Sequence, residues 1–204
     1  MGFSNLRAFL LSLALLLSAA HASAAPAPKS DALSLGSPKA RVVVEEYASL
    51  SCVHCAQFNN EVFPAFKKKY IDTGKVRYIL HEFLTPPENV SGVGFIVARC
   101  AGPTKYFAVV DDFFHRQATI YETQDLRTSL LALGVKFGMN EAAINACLEN
   151  PVYADALNAR VKVAVDKGIN STPTFVINGV RAPEGTMRLD QLDKLIAAAG
   201  KARR

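Results

Sequence analysis

Val42-Val43-Val44-Glu45-Glu46-Tyr47-Ala48-Ser49-Leu50-Ser51-Cys52-Val53-His54-Cys55 is the stretch on which the fold turns. Its first six residues are a β-branched run and read as a strand. After a short turn, Cys55, Phe58, Val62 and Phe66 recur at i, i+3, i+7 and i+11, which is one face of a helix. Pro64 lies inside that pattern and predicts a kink. Asp72-Thr73-Gly74 ends the helix. Val76 to Leu84 follows as a second strand, with Val76, Tyr78 and Leu80 on one face and Ile79 and Phe83 on the other. A strand, a helix and a strand in succession predict a parallel pair with a right-handed crossover. At the joint between strand and helix stand two cysteines three residues apart.

Outward from this unit the chain changes character. From about Asn89 to Lys167 it is rich in Ala, Leu, Phe and charged residues, punctuated by Gly and Pro, and predicts four or five helices. Asn140 followed by Glu141 looks like a capped helix start. Strand character returns at Thr174-Phe175-Val176-Ile177, Asn178-Gly179 is a hairpin turn, and Val180-Arg181 begins the return strand. A last helix near Leu189 to Ala199 turns Leu189, Leu192, Leu195, Ile196 and Ala199 inward. This order predicts an α/β thioredoxin fold with a helical domain inserted in its middle. The expected boundaries are 41–86 and 168–204 for the thioredoxin-like part and 87–167 for the insertion.

The N-terminus reads as a targeting signal. Arg7, an apolar run from Ala8 to Ala20 and small residues at Ala22-Ser23-Ala24 predict a signal peptide over 1–24. The run is shorter than the ~20 residues a spanning helix needs. A disordered leader over 25–40 is expected, with export to a bacterial periplasm. The formal charge is +5, and without Arg7 the 22 Lys+Arg against 18 Asp+Glu leave +4. There is no basic stripe interleaved with aromatics, so no nucleic-acid partner is expected. The leader before Val42 is too short for a dimerisation domain, which predicts a monomer.

Export decides how the four cysteines are read, because paired thiols in an oxidising compartment are expected as disulfides. Cys52-Val53-His54-Cys55 is not half of a zinc site, since Cys100 and Cys147 form no second closely spaced pair. It does not attach haem, since Ala56 stands where His is required. No metal or cofactor is expected. Redox chemistry remains. At a helix N-terminus, free N–H groups and the dipole favour a thiolate at Cys52. Cys52 is therefore the expected attacking sulfur and Cys55, one turn on, the resolving one. His54 is either an ordinary exposed histidine or a further stabiliser of that thiolate. Thr172-Pro173 is either a trans proline opening an edge strand or a cis proline packed on the cysteine loop, with the Thr172 backbone turned toward substrate. Glu46, six residues before Cys52, is either a surface carboxylate or a buried proton acceptor near Cys55. Cys100 and Cys147 are expected as a structural disulfide, against the alternative of two separate buried thiols.

Glu46-Tyr47-Ala48-Ser49, Cys52-Val53-His54-Cys55 and Thr172-Pro173-Thr174-Phe175-Val176-Ile177-Asn178-Gly179 together resemble the DsbA family of bacterial disulfide oxidases. The resemblance covers nearly all of the chain after residue 24. It implies a cis Pro173, a nucleophilic Cys52, disulfide donation to reduced or unfolded exported proteins, and a quinone-linked membrane partner that reoxidises the protein. Two departures are Val53 before His54, where the best-known oxidases have proline, and Thr172, where some have valine. Both positions tune redox potential, so a reductase or isomerase on the same fold stays open, as does a chaperone-like module that grips unfolded chains around Pro173.

Overall fold

The computed structural model describes residues 33–202, and the expected signal at 1–24 lies outside them. Five strands form one sheet: β1 (Ser34–Gly36), β2 (Val42–Ala48), β3 (Val76–Glu82), β4 (Thr174–Ile177) and β5 (Val180–Arg181), in the order β1-β3-β2-β4-β5. β2 and β3 run parallel from Val42↔Val76 to Ala48↔Glu82. β4 is antiparallel to β2, with Glu46 opposite Phe175. β5 returns along β4 through Asn178-Gly179, both at positive φ, the conformation a two-residue hairpin requires.

The crossover from β2 to β3 is a segmented helix. α1 (Val53–Gln57) passes into a π turn over Phe58–Val62, then α2 (Phe63–Phe66), then a second π turn over Lys67–Ile71. Pro64 has no N–H to donate and its ring crowds the carbonyl one turn back. The expected kink is taken up as a change of register, the Phe63 N–H reaching the Phe58 carbonyl. Phe58 and Phe66 are nevertheless fully buried on the face the periodicity marked.

Five helices follow β3: α3 (Glu88–Cys100), α4 (Tyr106–Thr123), α5 (Leu126–Lys136), α6 (Glu141–Glu149) and α7 (Pro151–Asp166). α8 (Leu189–Lys201) closes the described chain and buries Leu192 and Ile196. The strands alternate, so each sheet face has its own core. Val42, Val44, Tyr78, Leu80 and Phe175 join the main cluster with the segmented helix and α8. Tyr47 and Phe83 pack with Ala164 and Ile169 on the other face, beside α7. Among the described residues, no helix is long and apolar enough to cross a membrane.

The leader expected to be disordered over 25–40 is not so in its last part. Ser34–Gly36 pair antiparallel with β3, Ser34 opposite Ile79. Leu33 and Leu35 pack against the main core. Gly36, at φ +85°, passes so close to the Val76 carbonyl that an added Cβ would lie 2.3 Å from it. β3 also stops at Glu82, two residues short of the expected end, and the chain then turns through a cis Pro86-Pro87 bond.

Candidate active site

β2 ends at Ala48, and a buried turn carries the chain to Cys52. The Cys52 N–H donates to the Ser49 carbonyl (3.0 Å). Hydroxyls hold this turn from beneath. The Ser49 hydroxyl donates to Ser91 Oγ (2.9 Å) and accepts from the Thr85 N–H (3.1 Å). Ser91 Oγ accepts from the Leu50 N–H (3.1 Å), and the Ser51 hydroxyl donates to the Thr85 carbonyl (2.6 Å). Ser91 belongs to α3, so the inserted helices and the cysteine turn share one polar core.

Cys52 caps α1. Its backbone is extended (φ −83°, ψ 118°), and its sulfur accepts from the Cys55 N–H at 3.4 Å. The thiol is pulled down to about 5. The first cause is a hydrogen bond from the Cys55 thiol. The Thr172 hydroxyl and the backbone N–H groups of Cys55 and His54 add to it, against the cost of partial burial. Cys55 is the opposite case. It has no exposed surface, and burial holds its thiol well above the ordinary range, helped by Cys52 and Glu46. Two thiols of one motif are thus driven apart, the outer toward thiolate and the inner toward thiol.

Thr172-Pro173 is a cis bond, and Pro173 is buried. The Thr172 carbonyl stands 3.3 Å from Cys52 Sγ and accepts from the thiol. The Thr172 hydroxyl is buried and has no hydrogen-bond partner within the described fold. It is the donor free to replace that contact once Cys52 ionises.

Glu46 is buried at 2% exposure on the same sheet face as Tyr78, whose hydroxyl donates to Glu46 Oε2 at 2.6 Å. Burial pushes the Glu46 carboxyl up to about 8, opposed by the Tyr78 bond and reinforced by charge on Cys52. At neutral pH it holds a proton and can exchange it. His54 is exposed, and its contribution to Cys52 is through the backbone N–H. Cys100 and Cys147 are bonded to each other, joining the end of α3 to α6 with a Cα–Cα distance of 6.2 Å.

The expected residues Cys52, Cys55, Glu46, Thr172 and Pro173 therefore meet at one place, the end of β2. Sequence reading missed Tyr78 as the partner of Glu46 and the hydroxyls of Ser49, Ser51, Thr85 and Ser91. It also missed Glu82, a buried carboxylate at the end of β3 that accepts from Arg99 (2.6 Å), Arg160 (2.5 Å) and the Tyr106 hydroxyl (2.9 Å). Among the described residues, no group of three or more His, Cys, Asp or Glu is placed to hold a metal ion.

Comparison with known proteins gives a consistent picture. The family model described as thioredoxin matches residues 29–198. An inferred protein-disulfide oxidoreductase of Rickettsia conorii is 32% identical over 167 residues, covering 81% of this chain and 59% of that one. The chain thus spans less than two thirds of the length of this curated relative. The crystal structure of α-DsbA1 from Wolbachia pipientis superposes with a TM-score of 0.76 at 28% identity, covering 86% of this chain and 94% of that one. DsbA of Chlamydia trachomatis shares the fold with a TM-score of 0.69 at 21% identity, covering 88% of this chain and 97% of that one.

Proposed function

The chain belongs to the thioredoxin family, and from that premise we propose that it is an exported protein disulfide oxidoreductase of the DsbA kind, which donates the Cys52–Cys55 bond to reduced proteins in the periplasm. The observation that carries this reading is the divergence of the two thiols. Cys52, half-buried at the helix N-terminus, is pulled down to about 5, while Cys55 is pushed up by full burial. A stabilised Cys52 thiolate favours the reduced protein and so makes its disulfide a good electron acceptor.

The steps follow from the geometry. A client thiolate attacks Cys52 Sγ in the disulfide. The new client–Cys52 bond forms as the Cys52–Cys55 bond breaks, and its electron pair leaves on Cys55. Burial makes that anion costly, and Glu46, protonated at neutral pH, supplies the proton. A second client thiolate then attacks the client sulfur of the mixed disulfide. Cys52 departs as the thiolate that the Cys55 and His54 N–H groups and the Thr172 hydroxyl receive. Two electrons pass to the protein and one disulfide to the client. The Thr172 carbonyl and the cis Pro173 give an extended client segment a place to pair beside the sulfur. A quinone-linked membrane partner would take the electrons onward, and the protein would act as a monomer without a resident cofactor.

The test is oxidation of a reduced two-cysteine peptide by the oxidised protein. Stoichiometric transfer is expected, with none from Cys52→Ala; Cys55→Ala, mixed instead with the disulfide form of the peptide, is expected to hold it as a mixed disulfide on Cys52, the peptide's other sulfur leaving as a thiol. Full transfer by Cys52→Ala would overturn the assignment and favour a binding module.

A further inference from the structure

Three successive carbonyls lead into the nucleophile, those of Leu50, Ser51 and Cys52, and two side chains of the inserted helix α4 capture all three. The Gln117 amide Nε2 donates to the Leu50 carbonyl at 2.7 Å and to the Cys52 carbonyl at 3.2 Å. The Tyr121 hydroxyl donates to the Ser51 carbonyl at 2.6 Å. Gln117 and Tyr121 are four residues apart, hence on one face of α4 and one turn apart. Gln117 is 3% exposed, an uncommon burial for a glutamine. Farther along, α4 holds the segmented helix as well, through Asn59 to Asp111 Oδ1 (2.9 Å) and Asn60 to the Phe114 carbonyl (3.4 Å).

We infer that Gln117 and Tyr121 are positioning residues for Cys52, by which the inserted helical domain sets how readily that thiol ionises. This role presupposes the redox reading above and follows from the planarity of the peptide bond. A carbonyl turned toward α4 turns the N–H of the same peptide unit the opposite way. The Cys52 carbonyl already accepts the first helical bond from the Ala56 N–H at 3.1 Å, and Gln117 occupies its second lone pair. With both lone pairs fixed, the cap cannot rock, and the Cys55 N–H stays aimed at Cys52 Sγ. The same grip engages three carbonyl oxygens, dipoles that would otherwise be free to swing toward a negative charge on the sulfur. Without Gln117 the buried Leu50 carbonyl lacks this donor, and the turn must twist to satisfy it.

The variants are Gln117→Met, which keeps the volume and loses the donors, and Tyr121→Phe, which loses one hydroxyl. The readout is ultraviolet thiolate absorbance of the full chain against pH, with thermal melts of reduced and oxidised forms alongside. The titration midpoint of Cys52 is expected to rise by about one unit in Gln117→Met, a tenfold loss in the ionisation constant, and by about half a unit in Tyr121→Phe. The reduced form should lose more stability than the oxidised one. A merely structural role would lower both melts equally and leave the midpoint where it was, and that result overturns the inference. If Gln117→Met does not fold, Tyr121→Phe decides by the same criterion. A wild-type midpoint near ~8.5 would overturn both this inference and the oxidase reading. A low wild-type midpoint unmoved in the variants overturns this inference alone.

Discussion

Reducing the Cys52–Cys55 bond is expected to stabilise the protein at pH 8 and to destabilise it in acid. The Cys52 thiol is held at about 5 in the fold, against ~8.5 in an unfolded chain. A lowered acid contributes fully above its unfolded value and loses its contribution as pH falls through its folded one. At pH 8 the thiolate is worth about 4 kcal/mol to the reduced fold by linkage, and solvent reaching the half-buried sulfur trims this to roughly 3. Against it, the disulfide restrains the unfolded oxidised chain. A loop running only from Cys52 to Cys55 gives about 2 kcal/mol in the entropic model. The reduced form is therefore favoured by about 1 kcal/mol at pH 8, a melting difference of about 2–4 °C for a domain of this size. At pH 5.5 the thiolate retains only about 1 kcal/mol, and the order reverses, with a crossing between about pH 6 and pH 7. The buried Glu46 is present in both forms and largely cancels. Paired thermal melts of oxidised and reduced protein across this range are the assay. An oxidised form that stays the more stable at pH 8, by a margin that pH does not alter, would refute the reasoning.

Three further outcomes follow from the site. Glu46→Gln should raise stability at pH 7 by up to about 3–4 kcal/mol, because the raised carboxyl's advantage to the fold, whole below ~4.3, drains steadily as pH rises and is gone above about 8; denaturant midpoints against pH should flatten, and release of Cys55 in stopped-flow mixed-disulfide kinetics should slow by at least about tenfold. Thr172→Val deletes a buried hydroxyl whose one use is to meet the Cys52 thiolate, so the thiol titration should rise by roughly half a unit to one unit while the oxidised protein melts no lower. Replacing both Cys100 and Cys147 with serine opens a loop spanning 47 positions, and equilibrium unfolding should register a loss of about 4 kcal/mol, less any strain relieved, with transfer from Cys52–Cys55 retained.

Much of the fold was legible because its signals are local. The β-branched run at Val42, the parallel return at Val76 and the Asn178-Gly179 hairpin each carry their own pattern and form their elements, and the four or five helices expected between about Asn89 and Lys167 are five. Cys52 and Cys55 could be placed together because helix spacing fixes where they fall, while Glu46 stayed open between a surface carboxylate and a buried one near Cys55. Thr172 and Pro173 lie some 120 positions away, and the motif alone brought them to the sulfur. What escaped depends on partners that sequence does not display. β1 is three residues long, and only its pairing with β3 distinguishes it from a leader. The π turns around Pro64 share their periodic residues with an ordinary helix. Ser49, Ser51 and Ser91 carry no mark in the sequence until the chain folds their hydroxyls onto one another. Nothing in the sequence singles out Gln117 and Tyr121, though they meet the turn that ends in the nucleophile. His54 drew notice for its ring, which is exposed, whereas the backbone N–H that meets the sulfur is that of Cys55.

The claim that this chain gives disulfides away is tested most directly by its equilibrium with glutathione, read as the fraction of Cys52 and Cys55 reduced at each ratio of thiol to disulfide. Reference values place a thiol of ~3.5 with a potential near −120 mV and one of ~7 near −270 mV. A Cys52 thiol at about 5 then predicts a potential near about −180 mV, more oxidising than about −200 mV. A potential below about −250 mV, in the range of thioredoxin, would make the protein a reductase and contradict the account.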